Sequence, residues 1–103
     1  MTRIKISVIK RFSPVDVFGH EMKSPSGKDV TVCQSFEDNQ EFFVNDLEKP
    51  EDFCGWAWND IYTDISILVF GGAENWKEPN RVYVCCTDGM RPVCFKLEKI
   101  EVD

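Results

Sequence analysis

The chain has 103 residues, a formal charge of −6, 43% hydrophobic residues and five cysteines. At this size folding reduces an accessible surface of about 17,000 Å² to roughly 6,000 Å², which buries one modest core and not two. Residues 1–103 are therefore expected to form a single domain. Trp56, Trp58, Trp76 and eight phenylalanines supply the burial that disordered chains lack. The acid excess, with a pI near 4.7, argues against a nucleic-acid partner, which needs a net basic face to neutralise phosphates. The longest apolar run, Ile65 to Phe70, is broken by Ser66, and Met1 to Ile6 alternates polar and apolar residues. Neither a membrane span nor a signal peptide is expected, and the setting inferred is cytoplasmic and reducing.

In chain order, Arg3 to Ile9 puts Ile4, Ile6 and Val8 on one face and Arg3, Lys5 and Ser7 on the other, a half-buried strand. Residues 10–29 carry Ser13-Pro14, Gly19, Ser24-Pro25 and Ser26-Gly27 with little periodicity, which predicts a long irregular connection. Val30 to Val32 reads as a short strand leading to Cys33, and Glu41 to Val44 as another after the Asp38-Asn39 turn signal. Asn45 to Asp52 reads as the lead-in to a helix, with Pro50 in its first turn and Glu51 and Asp52 complementing its positive end.

Cys54, Ala57, Trp58, Ile61, Ile65 and Leu68 then form one stripe at helical spacing, predicting a helix over about 54–70 that Gly71-Gly72 ends. After a loop from Ala73 to Asn80, Arg81 to Cys86 and Arg91 to Ile100 read as strands of a hairpin around Asp88-Gly89, a pair suited to a type I′ turn. That turn sets Cys86 opposite Arg91, Cys85 opposite Pro92 and Val84 opposite Val93. It leaves Val82, Val84, Cys86, Val93, Phe95 and Leu97 on the core face and Arg91 beside them. Cys85 and Cys94 share the outer face as diagonal neighbours, too far apart for an unstrained disulfide. The fold class expected is α+β: a small antiparallel sheet or partly open roll of four or five strands packed on one main helix.

Phe53-Cys54-Gly55-Trp56-Ala57-Trp58, Phe70-Gly71-Gly72 and Cys85-Cys86-Thr87-Asp88-Gly89-Met90-Arg91-Pro92-Val93 together resemble an uncharacterised family of small prokaryotic proteins. Its most distinctive mark is a CCTDG-x-RPV motif. The resemblance extends over almost the whole chain. It implies that Cys33, Cys54, Cys85 and Cys86 are recurring cysteines and that Cys94 is a local addition. Asn39 and Gln34 stand where glycine and proline are expected. No activity follows from the resemblance.

Cys54 falls at a helix N-terminus, where free amides and the helix dipole favour a thiolate, while Glu51 and Asp52 oppose it. Alternatively it begins the buried stripe as a small hydrophobe. Cys33, Cys54 and Cys86, completed by Cys85 or His20, would form a thiolate site suited to zinc or an iron–sulfur centre, although no CxxC spacing occurs. Cys85 and Cys86 point to opposite faces of a regular strand, so joint ligation requires a bulge or bend. Three buried structural thiols are the alternative.

Asp88 is a turn residue by type. Arg91 would pair with Asp88 or Asp60, or reach an anionic ligand. Trp56 lies about 200° from Trp58 around the helix, so it sits on the rim, where it walls a ligand pocket or packs on a loop. Trp76 would cover the same helix or pack within its own loop. His20 is the lone histidine, which removes serine-triad and HExxH readings and leaves only a Cys–His pair.

The leading expectation is a small non-enzymatic domain that binds a metal, cluster or small ligand through these cysteines, with Trp56, Asp88 and Arg91 around the site. One alternative is a thiol-redox or thiol-catalytic protein using Cys54 as nucleophile and Cys86 as resolving thiol. The other is a structural or adaptor domain with inert thiols. An exposed edge strand and Trp56 also suit a homodimer.

Overall fold

A computed structural model describes residues 2–71 and 80–101. The strands are β1 (Thr2–Arg11), β2 (Glu41–Asn45), β3 (Arg81–Cys85) and β4 (Val93–Glu101), and the helices α1 (Pro14–Phe18) and α2 (Gly55–Phe70). They form an open antiparallel sheet in the order β2-β1-β4-β3, so the first and last strands pair at its centre. The two edge strands are only five residues long, which limits the unpaired backbone they present. The fold is the expected α+β class, realised as a four-stranded open sheet under one main helix.

Alternation decides which face is covered. Ile4, Ile6 and Val8 of β1 share a buried face with Phe42 and Val44 of β2, Val82 of β3, and Val93, Phe95 and Leu97 of β4. Helix α2 lies on that face against β1, β3 and β4, burying Ala57, Ile61, Ile65 and Leu68. Trp58, at the edge of the stripe, is half-buried against the same core. Gly71 ends the helix with φ +74, a left-handed conformation that costs glycine little. Gly72 and Trp76 lie outside the described residues.

Three local expectations are corrected. The stretch 10–29 is not wholly irregular: β1 runs on to Arg11, and α1 follows. That helix is nucleated by a capping box in which Ser13 accepts from the Asp16 amide and the Asp16 carboxylate accepts from the Ser13 amide, with Pro14 in the first turn. Val30 to Val32 is not a strand, since only Lys23 and Asp29 form an isolated bridge in this region. Pro50, Glu51 and Asp52 precede α2 rather than entering it: Asp52 has φ +63, and the first turn of the helix holds no acid.

The β3–β4 register differs by two residues from the one a two-residue turn would impose. Val84 pairs with Phe95 and Cys85 with Cys94, leaving a seven-residue connection over 86–92. A type I′ turn needs positive φ at both central residues, and neither Asp88 nor Gly89 has it. An even shift preserves the faces, so the core residues stay as expected.

The shift also brings Cys85 directly opposite Cys94, with Cα atoms 4.2 Å apart, and the two form a disulfide on the uncovered face. Cys33, Cys54 and Cys86 remain free. Denatured protein that has not met a reductant should therefore yield three reactive thiols per chain, and five after reduction. Five in both conditions would remove the disulfide.

Candidate functional site

The site begins with an irregularity in β1. Val8 pairs with Phe95 but Lys10 with Cys94, so Ile9 is an extra residue, a bulge, on this strand. Beyond it the alternation is reversed: Lys10 takes the outer position, and Arg11 stands opposite Val93, a residue of the covered face. The Arg11 guanidinium turns there to the 33–38 segment. Its Nη1 donates to the carbonyls of Cys33 (3.0 Å) and Phe36 (2.9 Å), and its Nε to the Asp38 carboxylate (3.0 Å). A charged donor gives these bonds more than the usual strength, and this side chain is only 18% exposed.

Phe36 completes the attachment. It is buried and meets the rings of Phe42, Phe53 and Phe95 edge-on, with centroids 6.0, 5.1 and 5.2 Å away. A segment without regular structure is thereby held over the sheet, with Cys33 and Ser35 beside the start of α2.

The third wall is the 86–92 connection. The Cys86 amide donates to the Val93 carbonyl, and the Val93 amide donates to Cys86 Sγ at 3.2 Å. Thr87 ties this connection to the helix: its amide and hydroxyl donate to the Asp60 carboxylate, and its hydroxyl oxygen accepts from Trp56 Nε1 at 3.1 Å. Asp88 folds the connection on itself by accepting from the Met90 and Arg91 amides and from Arg91 Nε at 3.3 Å. Phe12 adds a bond from its amide to the Pro92 carbonyl.

These walls line an open pocket of about 460 Å³. Cys33, Ser35 and Phe36 form one side; Cys54, Trp56 and Ala57 come from the beginning of α2; Cys86, Asp88 and Arg91 come from the β3–β4 connection. Phe36 and Ala57 make an apolar floor. Trp56 is 71% exposed, at the rim where the helical geometry put it. Cys54 is the N-cap residue of α2 and makes no capping bond with its side chain. All three pocket thiols are half-buried, and those of Cys33 and Cys54 make no hydrogen bond with a described residue.

Six residues singled out from the sequence thus line one cavity: Cys33, Cys54, Cys86, Trp56, Asp88 and Arg91. Cys85 does not join them, because it stands on the uncovered face bound to Cys94. His20 lies elsewhere, exposed, stacked on Phe18 with Nδ1 against the Glu21 carbonyl. Arg91 is not in a strand opposite Cys86 but in the connection, paired with Asp88 rather than Asp60. Among the described residues no three histidine, cysteine, aspartate or glutamate side chains stand together so as to hold a metal ion. The sequence reading missed Arg11, Phe36 and Thr87. The first acts through a bulge whose break in alternation, at Val8-Ile9-Lys10-Arg11, also reads as a strand end, and the second through a ring cluster that no local pattern announces.

Asp88 carries the electrostatics of the loop. Its partial burial pushes the carboxyl pKa up, but the Met90 and Arg91 amides and the Arg91 guanidinium outweigh this and hold it below the ordinary 3.8. A depressed folded value means stability that is present above 3.8 and lost as pH falls through the folded pKa. Asp88→Asn should therefore flatten the acid limb of stability against pH below 3.8, as followed by denaturant midpoint. Superimposable acid limbs would contradict this role.

No protein-family model, curated protein or solved structure matches the chain.

Proposed function

We propose that this domain is a receptor for a small organic molecule whose apolar body enters the pocket between Cys33, Cys54 and Cys86. The observation that carries this reading is the convergence, from three distant stretches of chain, of three thiols over an apolar floor in one open pocket. Its volume falls in the range of small-molecule sites, typically about 300–1,000 Å³. Thiols suit such a lining because they are polarisable, weak hydrogen-bond formers that pack against apolar surface without demanding a polar partner.

The site also has the composition expected of a small-molecule pocket, with few polar groups set at the edge of apolar walls. Here those groups are Asp88 and Arg91, with the Trp56 indole as an aromatic wall. The nine residues of the CCTDG-x-RPV motif contribute three of the lining side chains. The three thiols line the pocket, but among the described residues no three of these side chains stand together so as to hold a metal ion, and the metal or cluster reading loses support on that ground.

A second reading draws on the same cavity. Cys54 and Cys86 both line it, so a thiol-redox pair could form there, each thiol losing a proton and together two electrons to a disulfide oxidant.

N-phenyl-1-naphthylamine, an uncharged fluorophore, separates the readings. The receptor reading expects one saturable site per chain. Bound probe should slow N-ethylmaleimide labelling of Cys33, Cys54 and Cys86 together, and Ser35→Trp, which fills the pocket from an exposed position, should abolish uptake. Labelling at equal rates with and without probe would overturn it. A diamide-induced Cys54–Cys86 bond, with one thiol far more reactive than the others, would establish the redox pair instead.

A further inference from the structure

The pocket is not bounded at Arg91. A second depression, of about 510 Å³, is lined by Lys23, Lys28, Thr31 and Gln34 and shares Asp88 and Arg91 with the first. Its charge is unlike that of the whole molecule. Lys23, Lys28 and Arg91 outnumber Asp29 and Asp88 there, in a chain whose net charge is −6.

The internal pairings sharpen the contrast. Asp29 is taken by an ion pair with Lys23. Asp88 is taken by two amides and Arg91 Nε. Lys28 pairs with no described acid, and Arg91 Nη1 and Nη2 make no hydrogen bond with a described residue. Two cations thus keep donors to spare at one groove.

Lys28 is also positioned rather than merely exposed. The Ser24 amide donates to the Lys28 carbonyl at 2.8 Å, the Lys28 amide donates to Ser24 Oγ, and the Gly27 amide donates to the Ser24 carbonyl. Gly27 takes φ +85 to close this turn, a conformation glycine adopts without a steric penalty. The Val30 amide bonds the Met22 carbonyl just outside it. The turn therefore holds Lys28 at the groove by several main-chain bonds.

We propose that this groove binds an oxyanion head group, carboxylate or phosphate, and that the ligand of the thiol pocket is an amphipathic anion spanning both. The apolar body occupies the space over Phe36 and Ala57, and the head group reaches past Arg91 to Lys28. Arg91 is the hinge of recognition, because it lines both cavities and Asp88 fixes its Nε while leaving the terminal nitrogens for the ligand. This inference rests on the receptor reading of the pocket.

The test is competition against the uncharged fluorophore by three compounds with the same chain: 1-octanol, octanoate and octyl phosphate. Two partly exposed charge pairs predict that an anion displaces the fluorophore at roughly tenfold lower concentration than the alcohol. The advantage should shrink as salt is raised. Lys28→Gln, which touches only the groove, should cut it severalfold while leaving octanol unchanged, and Arg91→Gln should cut it as well. The better of the two anions identifies the head group.

Equal displacement by all three compounds, or variants that weaken all three alike, would overturn the anion groove and leave the pocket standing. No fluorophore uptake by the wild-type protein would overturn both. Lys28 is exposed and outside every strand and helix, so its variant reports on the groove without endangering the fold.

Discussion

The Phe36 ring is the contact on which the candidate site depends. It belongs to a stretch with no strand or helix, yet it is buried among Phe42 of β2, Phe53 ahead of α2 and Phe95 of β4. Burying such a ring contributes about 1.5–3 kcal/mol, with edge-to-face contacts adding to it. Arg11 supplies the polar half of the same attachment by taking the carbonyls on either side of Ser35. Without these two anchors, Cys33 and Ser35 would have no fixed relation to the helix start, and the pocket would lack a wall.

The opposite wall is constrained differently. The 86–92 connection leaves the sheet just after the Cys85–Cys94 pair, which closes its base on the uncovered face. Thr87 binds it to α2 through Asp60 and Trp56, and Asp88 folds it internally. Crosslink, side-chain bridge and self-closure each restrict a segment that has no regular structure. A loop held at three points can keep Cys86 and Arg91 in a set relation to Cys54. That preorganisation separates a binding site from a surface dimple.

Much of the architecture was legible because it follows from periodicity. The Ala57–Ile61–Ile65–Leu68 stripe fixed the helix and its buried face, and the alternation of β1 and β4 fixed the sheet's covered side. The grouping of Cys33, Cys54 and Cys86 with Trp56, Asp88 and Arg91 could be anticipated once the helix start and the hairpin end were set at one edge. The hairpin register could not, because Asp88-Gly89 is compatible with a type I′ turn and with the wider connection that Asp88 closes by its own side chain. The disulfide followed from that register and was missed with it. The bulge at Ile9 coincides with a break in alternation, Val8-Ile9 followed by Lys10-Arg11, which reads equally as the end of the strand, so the inward turn of Arg11 was hidden as well. The Ser13-Pro14-x-Asp16 cap is visible in the sequence but reads as part of an irregular connection, since a five-residue helix has no stripe to support it.

Everything functional in this account requires that a small apolar body sit between Phe36 and the start of α2. Intermolecular nuclear Overhauser contacts from bound N-phenyl-1-naphthylamine test this most directly. Contacts are expected to the Phe36 ring, the Ala57 methyl group and the Trp56 indole. Contacts confined to Phe43 and Tyr83, which stand exposed on the uncovered face of the sheet, would contradict it.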